Sequence, residues 1–218
     1  MRVLVIDTSL GLCTAAVFED DEALGVRSEP MAKGHQERLG GFARDAVGDG
    51  FGSLERIGVT VGPGSFTGLR VGLSFAQGLG LALDRPVVGL STLHGLAASA
   101  PDESVTAAAI DARRGQVYLQ LFRDGVPVGV PGAFALEDAV GRIEALGGLR
   151  RLVGSGAPLL ADRFPDAEVL DLPGPSPEAL ARLTIEASAP EGFPAPIYLR
   201  APDATPPSRL PGQPRPTA

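Results

Sequence analysis

One cysteine, one lysine and two histidines are all that this chain of 218 residues holds of those types. A single thiol, Cys13, excludes an internal disulfide framework and fits a reducing cytosol. Its setting, LCTAAVF, reads as a buried strand, so Cys13 is expected to be a core thiol. The histidines, His35 and His94, lie far apart in separate predicted helices. They give no set of ligands converging at fixed distance, and no catalytic metal is expected. His35, in KGHQERL at a helix start, is expected at a surface or interface. His94, in STLHGLA, is expected on a helix surface. Neither has an aspartate nearby to complete a triad. In Gly64-Ser65-Phe66-Thr67-Gly68 the serine stands one place too early for a GxSxG elbow.

Long apolar runs are missing too. None reaches about 18 residues without a charge or a polar break, so no membrane-spanning helix is expected. The opening MRVLVI is too short for a signal peptide and runs into Asp7, which points to a cytoplasmic protein. The net charge is -7. An acidic surface repels nucleic acid, whose affinity comes mainly from neutralised phosphates. The sequence has no aromatic–basic clusters either. Any service to an RNA is therefore expected to run through a partner.

What is present is a foldable pattern. At 44% hydrophobic and 21% charged, the chain suits one or two compact domains with a real core. Arg2–Asp7, Leu12–Glu19 and Ala23–Glu29 read as strands joined by tight turns. His35–Val47 reads as a helix, with Leu39, Phe42, Ala43, Ala46 and Val47 on one face. Strand Arg56–Val61, helix Thr67–Leu83, strand Pro86–Gly89 and helix Ser91–Ala98 follow. Then the pattern starts again. VTAAAIDAR mirrors RVLVIDTS, and QVYLQLFRDG mirrors LCTAAVFEDD. Ile6 and Ile110, Asp7 and Asp111, Phe18 and Phe122, and Asp20 and Asp124 share one offset. RLVGSGAPLL repeats the strand, glycine turn and helix of IGVTVGPGSF. Ser176–Ala187 reads as a further helix, with Ser176 as N-cap and Pro177 in the first turn. The expected organisation is α/β, with two similar lobes over 1–104 and 105–201. The Pro-rich end, 202–218, is expected to be a flexible tail.

The stretch VGPGSFTGLRVGLSFAQGLGLAL raises the sharpest question, because it looks like a phosphate site. A Walker loop requires GxxxxGK[ST]; here no lysine follows the glycines and the spacing is wrong. Gly62-Pro63-Gly64 reads instead as a tight turn, with Ser65 or Thr67 capping the helix. The free N–H groups of that helix start leave an anion open as a ligand, with Arg70 one turn in. Gly68, Gly72, Ala76 and Gly80 form one small-residue stripe, flanked by Val71, Phe75 and Leu79. A glycine costs about 1 kcal/mol against alanine in a helix interior, so something must approach this backbone closely. Two readings stand: the stripe packs on the chain's own sheet, or part of the face meets a partner's helix. On the second reading Gly72→Leu would abolish a complex and leave the monomer folded.

IDTS at the first strand end, GPGSFTGLRVG, the AxxxG within the following helix, IDARRGQVY opening the second half and PIYLR near the end resemble the bacterial TsaB (YeaZ) family. This family belongs to the actin, Hsp70 and sugar-kinase superfamily, and the resemblance covers about residues 1–200. It implies two tandem actin-like (ribonuclease H-like) lobes, the second reduced. It also implies a non-catalytic subunit of the machinery that places threonylcarbamoyl on adenosine 37 of tRNAs reading ANN codons. The implied partners are a catalytic TsaD-type subunit, a TsaE-type ATPase and a second copy of the chain, with tRNA met only through the complex. The resemblance favours the interface reading, on which His35, Leu39, Phe42, Ser65, Thr67, Arg70 and the 68–80 face meet a partner. Actin-like kinases hold phosphates with DxGxT hairpins. Here Asp7-Thr8-Ser9 and Asp111-Ala112-Arg113 lack that glycine, so they are expected to be vestigial. No cofactor is expected for the chain alone, and ATP or ADP at a shared interface stays open. Arg113 and Arg114 read equally as phosphate ligands or a solvated turn. Tyr198 and Arg200 are expected to anchor the chain end on the first lobe. The alternative is a free-standing kinase or acyltransferase of the same fold.

Overall fold

The computed structural model describes residues 1–48, 50–101, 104–188 and 190–200. The Pro-rich segment 202–218 lies outside them. Along the described chain run β1 (Arg2–Asp7), β2 (Leu12–Glu19), β3 (Glu22–Pro30), α1 (His35–Val47), β4 (Arg56–Gly62), α2 (Phe66–Leu83), β5 (Val87–Ser91) and α3 (Thr92–Ala98). Then come β6 (Val105–Arg113), β7 (Gln116–Arg123), β8 (Val126–Ala135), α4 (Leu136–Leu146), β9 (Leu149–Val153), β10 (Glu168–Leu170) and α5 (Pro177–Glu186).

The strands form two five-stranded sheets, ordered β3-β2-β1-β4-β5 and β8-β7-β6-β9-β10. In each, the first strand of the half pairs antiparallel with the second and parallel with the fourth. The repeated residues occupy equivalent places. Phe18 and Phe122 are both buried, and Asp20 and Asp124 both turn their hairpins with φ of 52°. The mixed α/β fold with helices flanking both sheets is the one the repeat predicts.

The second half contains elements that the sequence left unassigned, β8 among them, and departs from expectation in one place. β8, with sequence VPVGVPGAFA, has the proline and glycine content of a loop, yet it pairs with β7. It lies at the sheet edge, where a residue without an N–H is tolerated. The helix expected after RLVGSG does not form; turns and a short 3-10 turn, Ala161–Arg163, replace it. Pro158 and Pro165 bracket this stretch, and Gly154, at φ of 98°, bends the backbone against Ala109.

The halves interlock. α5 follows the second sheet in sequence but packs on the first, where Leu180 and Ala181 meet Val3, Val5, Phe18 and Val88. α3 follows the first sheet and packs on the second, through Leu93 and Leu96 against Ala108, Ile110 and Phe122. Ser176 caps α5 by accepting from the Ala179 N–H at 3.1 Å, with Pro177 in its first turn. The Arg56 guanidinium closes its other end, donating to the carbonyls of Thr184 and Ala187 at 2.9 and 2.7 Å. A cation there also opposes the helix dipole.

α1 covers the opposite face of the first sheet. Leu39, Phe42, Ala43, Ala46 and Val47 are buried against β1, β2 and β4. This corrects the interface expectation for His35 and Phe42, whereas Leu39, though buried, lines a groove beside α2. His35, Leu39 and Phe42 are 8%, 1% and 5% exposed, because they share the face that α1 turns to the sheet. Cys13 is wholly buried, and burial pushes its thiol up to about 11. No helix among the described residues is long and apolar enough to cross a membrane.

Candidate functional site

The first element of the site is the junction of β1 with α2. The Gly62–Pro63 peptide is cis. Ser65 N–H donates to the Ser9 carbonyl at 2.7 Å, and Ser65 Oγ caps α2 by accepting from Gly68 N–H at 3.2 Å. Thr67 is exposed and makes no cap. The Thr8 hydroxyl donates to the Gly68 carbonyl at 2.7 Å. A Cβ at Gly64 or Gly68 would strike the carbonyls of Ser9 or Thr8, one at Gly72 would lie 2.5 Å from Thr8 Oγ1, and one at Gly80 would strike Val87. Gly68, Gly72, Ala76 and Gly80 are all buried. The stripe expected at a partner interface therefore faces the chain's own strands, and its close approach is intramolecular.

The second element is the cleft between the halves, about 620 Å³, lined among others by Ser9, Ser65, Asp111, Arg113, Tyr118 and Ser155. Actin-like proteins place a nucleotide and its cation in such a cleft. The residues here do not fit one. Asp7 is fully buried, and its Oδ1 accepts from Ser9 N–H, Ser9 Oγ and Thr60 Oγ1 at 2.9, 2.6 and 2.7 Å. Its Oδ2 faces Gly174 and has no hydrogen-bond partner. The Gly11 N–H donates to the Pro173 carbonyl at 3.1 Å, which lays that segment over the end of β1. Burial raises the Asp7 carboxyl above its ordinary range, against the hydrogen bonds from Ser9 and Thr60. A carboxyl so enclosed cannot ligate a hydrated cation. Asp111 is held by its own hairpin, accepting from Arg113 N–H at 2.7 Å and pairing with its guanidinium at 3.1 Å. Among the described residues, no three His, Cys, Asp or Glu side chains group to hold a metal.

The third element is the outer face of α1 and α2. Thr67, Arg70 and Ser74 are exposed, while Val71, Phe75 and Leu79 are half-buried. A groove of about 580 Å³ runs between the helices, floored by Val71 and Phe75 and rimmed by Gln36 and Arg70. Glycines mark this face too. A Cβ on Gly41 or Gly78 would meet nothing within 4 Å, and one on Gly40 would meet only the Phe75 ring at 3.8 Å. Their cost to the helix, about 1 kcal/mol each, has no internal return. The sequence reading missed Gly40, Gly41 and Gly78. A glycine pair inside an amphipathic helix was the available signal.

The chain end forms a strap across both halves. Ile197 N–H donates to the Val61 carbonyl at 2.7 Å, and Gln77 donates to the Pro194 carbonyl at 2.8 Å. Gly62, at φ of 113°, lets the Ile197 carbonyl pass where a Cβ would lie 2.7 Å away. The Tyr198 ring packs on Phe66 with centroids 5.4 Å apart, and its hydroxyl accepts from Arg70 Nε at 3.3 Å. Arg200 reaches the second half, donating to the Ala112 carbonyl at 2.9 Å and to the Gln116 side chain. That corrects its expected place on the first lobe. His94 is half-buried and stacked on Phe122 at 5.4 Å, not set on an open helix surface, and burial lowers its pKa.

Two outcomes follow from this geometry. Gly72→Leu should unfold the free chain, since even a Cβ there would lie 2.5 Å from Thr8 Oγ1, with Val59 and Ile6 at 3.5 and 3.7 Å. A cooperative melt near that of the parent would refute the packing. For Asp7 the folded state holds a proton above the unfolded carboxylate range, so the folded chain loses stability as pH rises from about 4. Asp7→Asn removes this titration. The melting temperature of the variant minus that of the parent should grow with pH, and parallel curves would contradict the buried carboxyl.

Comparison with known proteins agrees with this construction. Residues 15–152 match the family model of TsaD, tRNA N6-adenosine threonylcarbamoyltransferase. The tRNA threonylcarbamoyladenosine biosynthesis protein TsaB of Escherichia coli is 37% identical over 124 residues, 54% of this chain and 53% of that protein. An uncharacterized protein of Mycobacterium tuberculosis is 33% identical over 94% of both chains. The matches to named TsaB proteins thus span about half of their length. A solved structure, YeaZ from Pseudomonas aeruginosa, superposes with a TM-score of 0.74 at 28% identity, covering 91% of this chain and 99% of that one. The chain belongs to the TsaB (YeaZ) family, within the wider group that the TsaD model describes.

Proposed function

We propose that this chain is a non-catalytic scaffold subunit that binds and activates a TsaD-type threonylcarbamoyltransferase acting on adenosine 37 of tRNAs that read ANN codons. The observation that carries this reading is the outer α1–α2 face. Gly40 faces the Phe75 ring, which lines a groove with an apolar floor, and Gly41 and Gly78, with open space at their Cβ positions, weaken the same two helices. Small residues beside half-buried Val71, Phe75 and Leu79 fit close approach of another helix, with Arg70 at the rim to pair with a carboxylate. Binding energy on this face would favour one conformation of the partner. The face also fits a second copy of the chain, so that homodimer and heterodimer would compete for it. A TsaE-type ATPase would join the assembled pair.

The free-standing enzyme reading is weaker for a stated reason. Its two aspartates are engaged, one buried under Gly174 and the other bound to Arg113.

The test is Gly78→Leu, read by size-exclusion chromatography with light scattering against the organism's TsaD-type protein. Leucine at an open helical position should stabilise the free chain by up to about 1 kcal/mol, yet weaken association at least tenfold. Association at parental strength would remove the α1–α2 face from the docking surface.

A further inference from the structure

We propose that a second pocket between the halves, formed by α3, α5 and the start of β6, binds a small organic ammonium ion with an apolar body. It lies at the end of β6 away from Asp111. It shares no residue with the α1–α2 groove or with the Asp111 cleft.

The pocket measures about 520 Å³, within the range of small-molecule sites. It opens where the halves exchange helices. α3 supplies His94 and Ala97, α5 supplies Arg182 and Glu186, and the second sheet supplies Thr106 and Phe122. Apolar side chains, Pro101 and Leu183 among them, make up most of the wall.

A buried hydroxyl points into this space. Along β6, Ala107 and Ala109 lie in the core under α4, while Ala108 and Ile110 face α3. Strand alternation therefore sets Thr106 on the α3 face. Thr106 is 4% exposed, and among the described residues its hydroxyl makes no hydrogen bond. Buried hydroxyls are ordinarily paired, so a partner for this one has to enter through the pocket. His94 lines the same space, half-buried and stacked on Phe122 at 5.4 Å. Among the described residues neither of its ring nitrogens is hydrogen-bonded. Burial lowers its pKa, so near pH 7 the ring is neutral and one nitrogen accepts.

The charges at the opening select the ligand. The lining carboxylates are Asp124, in the β7–β8 turn, and Glu186, at the end of α5. Among the described residues neither side chain makes a hydrogen bond or an ion pair. The one lining guanidinium, Arg182, donates to the Ala98 carbonyl at 2.8 Å. It thereby serves the last turn of α3, where a cation also opposes the helix dipole. What remains is a set of acceptors: two carboxylates, a hydroxyl and a neutral imidazole. An anion would meet both carboxylates. A wholly apolar molecule would leave Thr106 unpaired. An ammonium group brings three donors, and a carbon body attached to it would lie against Ala97, Pro101 and Leu183.

The test is saturation-transfer NMR on the full chain. The probes are phenethylamine, a primary ammonium on an aromatic body, and 3-phenylpropionate, which carries a carboxylate instead. Phenethylamine should receive saturation, and 3-phenylpropionate should not. Thr106→Val keeps the outline of the side chain without its hydroxyl and should weaken phenethylamine binding about tenfold. Thr106→Ser retains a hydroxyl and should bind like the parent. The double variant Asp124→Asn, Glu186→Gln should weaken binding about fivefold. Each variant is melted first. Both carboxylates are exposed, and asparagine tolerates the left-handed φ of 52° at position 124, so the double variant should fold even if Thr106→Val does not. Absence of transfer to phenethylamine overturns the proposal, since the hydroxyl would then be served by water alone. Equal transfer to both probes overturns it, as does an affinity for phenethylamine that is unchanged in the folded variants lacking the hydroxyl or the carboxylates.

Discussion

The structure depends on the contact between the backbone of α2 and the end of β1. The Thr8 hydroxyl reaches the Gly68 carbonyl, and the glycines at 64, 68 and 72 remove every Cβ that would keep helix and strand apart. With α2 drawn onto the sheet by this edge, its opposite edge is fixed as the outer surface. Arg70, Ser74 and Gly78 then share a face with Val71 and Phe75. The same contact sets the start of α2 beside the interlobe cleft. The docking face, the cleft and the ring pair all take their positions from it.

Closing that junction also closes the chemistry of the cleft. Asp7 lies at the strand end where a related fold would hold a cation. In this chain its carboxylate serves Ser9 and Thr60, under the Pro173–Gly174 crossing. Burial of a carboxyl disfavours its ionised form; at Asp7 this outweighs the hydrogen bonds from Ser9 and Thr60 and the nearby His35, and the raised pKa expresses that cost. The fold thus keeps the shape of a nucleotide-binding protein and uses its strand ends to join the two halves. The swapped packing of α3 and α5 and the strap through Ile197 and Arg200 serve the same end.

Much of the fold was legible in the sequence because its signals are local or repeated. The strand of Arg2–Asp7, the helix of His35–Val47, the Ser176 cap and the common offset of Asp7 and Asp111 all follow from periodicity and turn chemistry. What failed was long-range. β8 hides because edge position overrides proline, and the helix after Gly154 is missing because β6 needs a tight turn there. The glycine stripe was recognised, but which side of it faced the sheet is a tertiary fact. His35 and Phe42 went astray for the same reason. A helical wheel separates two faces without saying which one is inside. The ring pair of Phe66 and Tyr198 could not be read at all, since nothing local links the chain end to α2.

The central claim is that α2 turns its buried glycine edge inward and offers the opposite edge, with α1, to a TsaD-type partner. Hydrogen–deuterium exchange of the chain, free and mixed with that partner, measures this directly. The account predicts new protection on α1 around Gly40 and on α2 around Ser74 and Gly78, with α3, α5 and β8 unchanged. Protection confined to α3, α5 or β8, with the α1–α2 face exchanging as in the free chain, would contradict it.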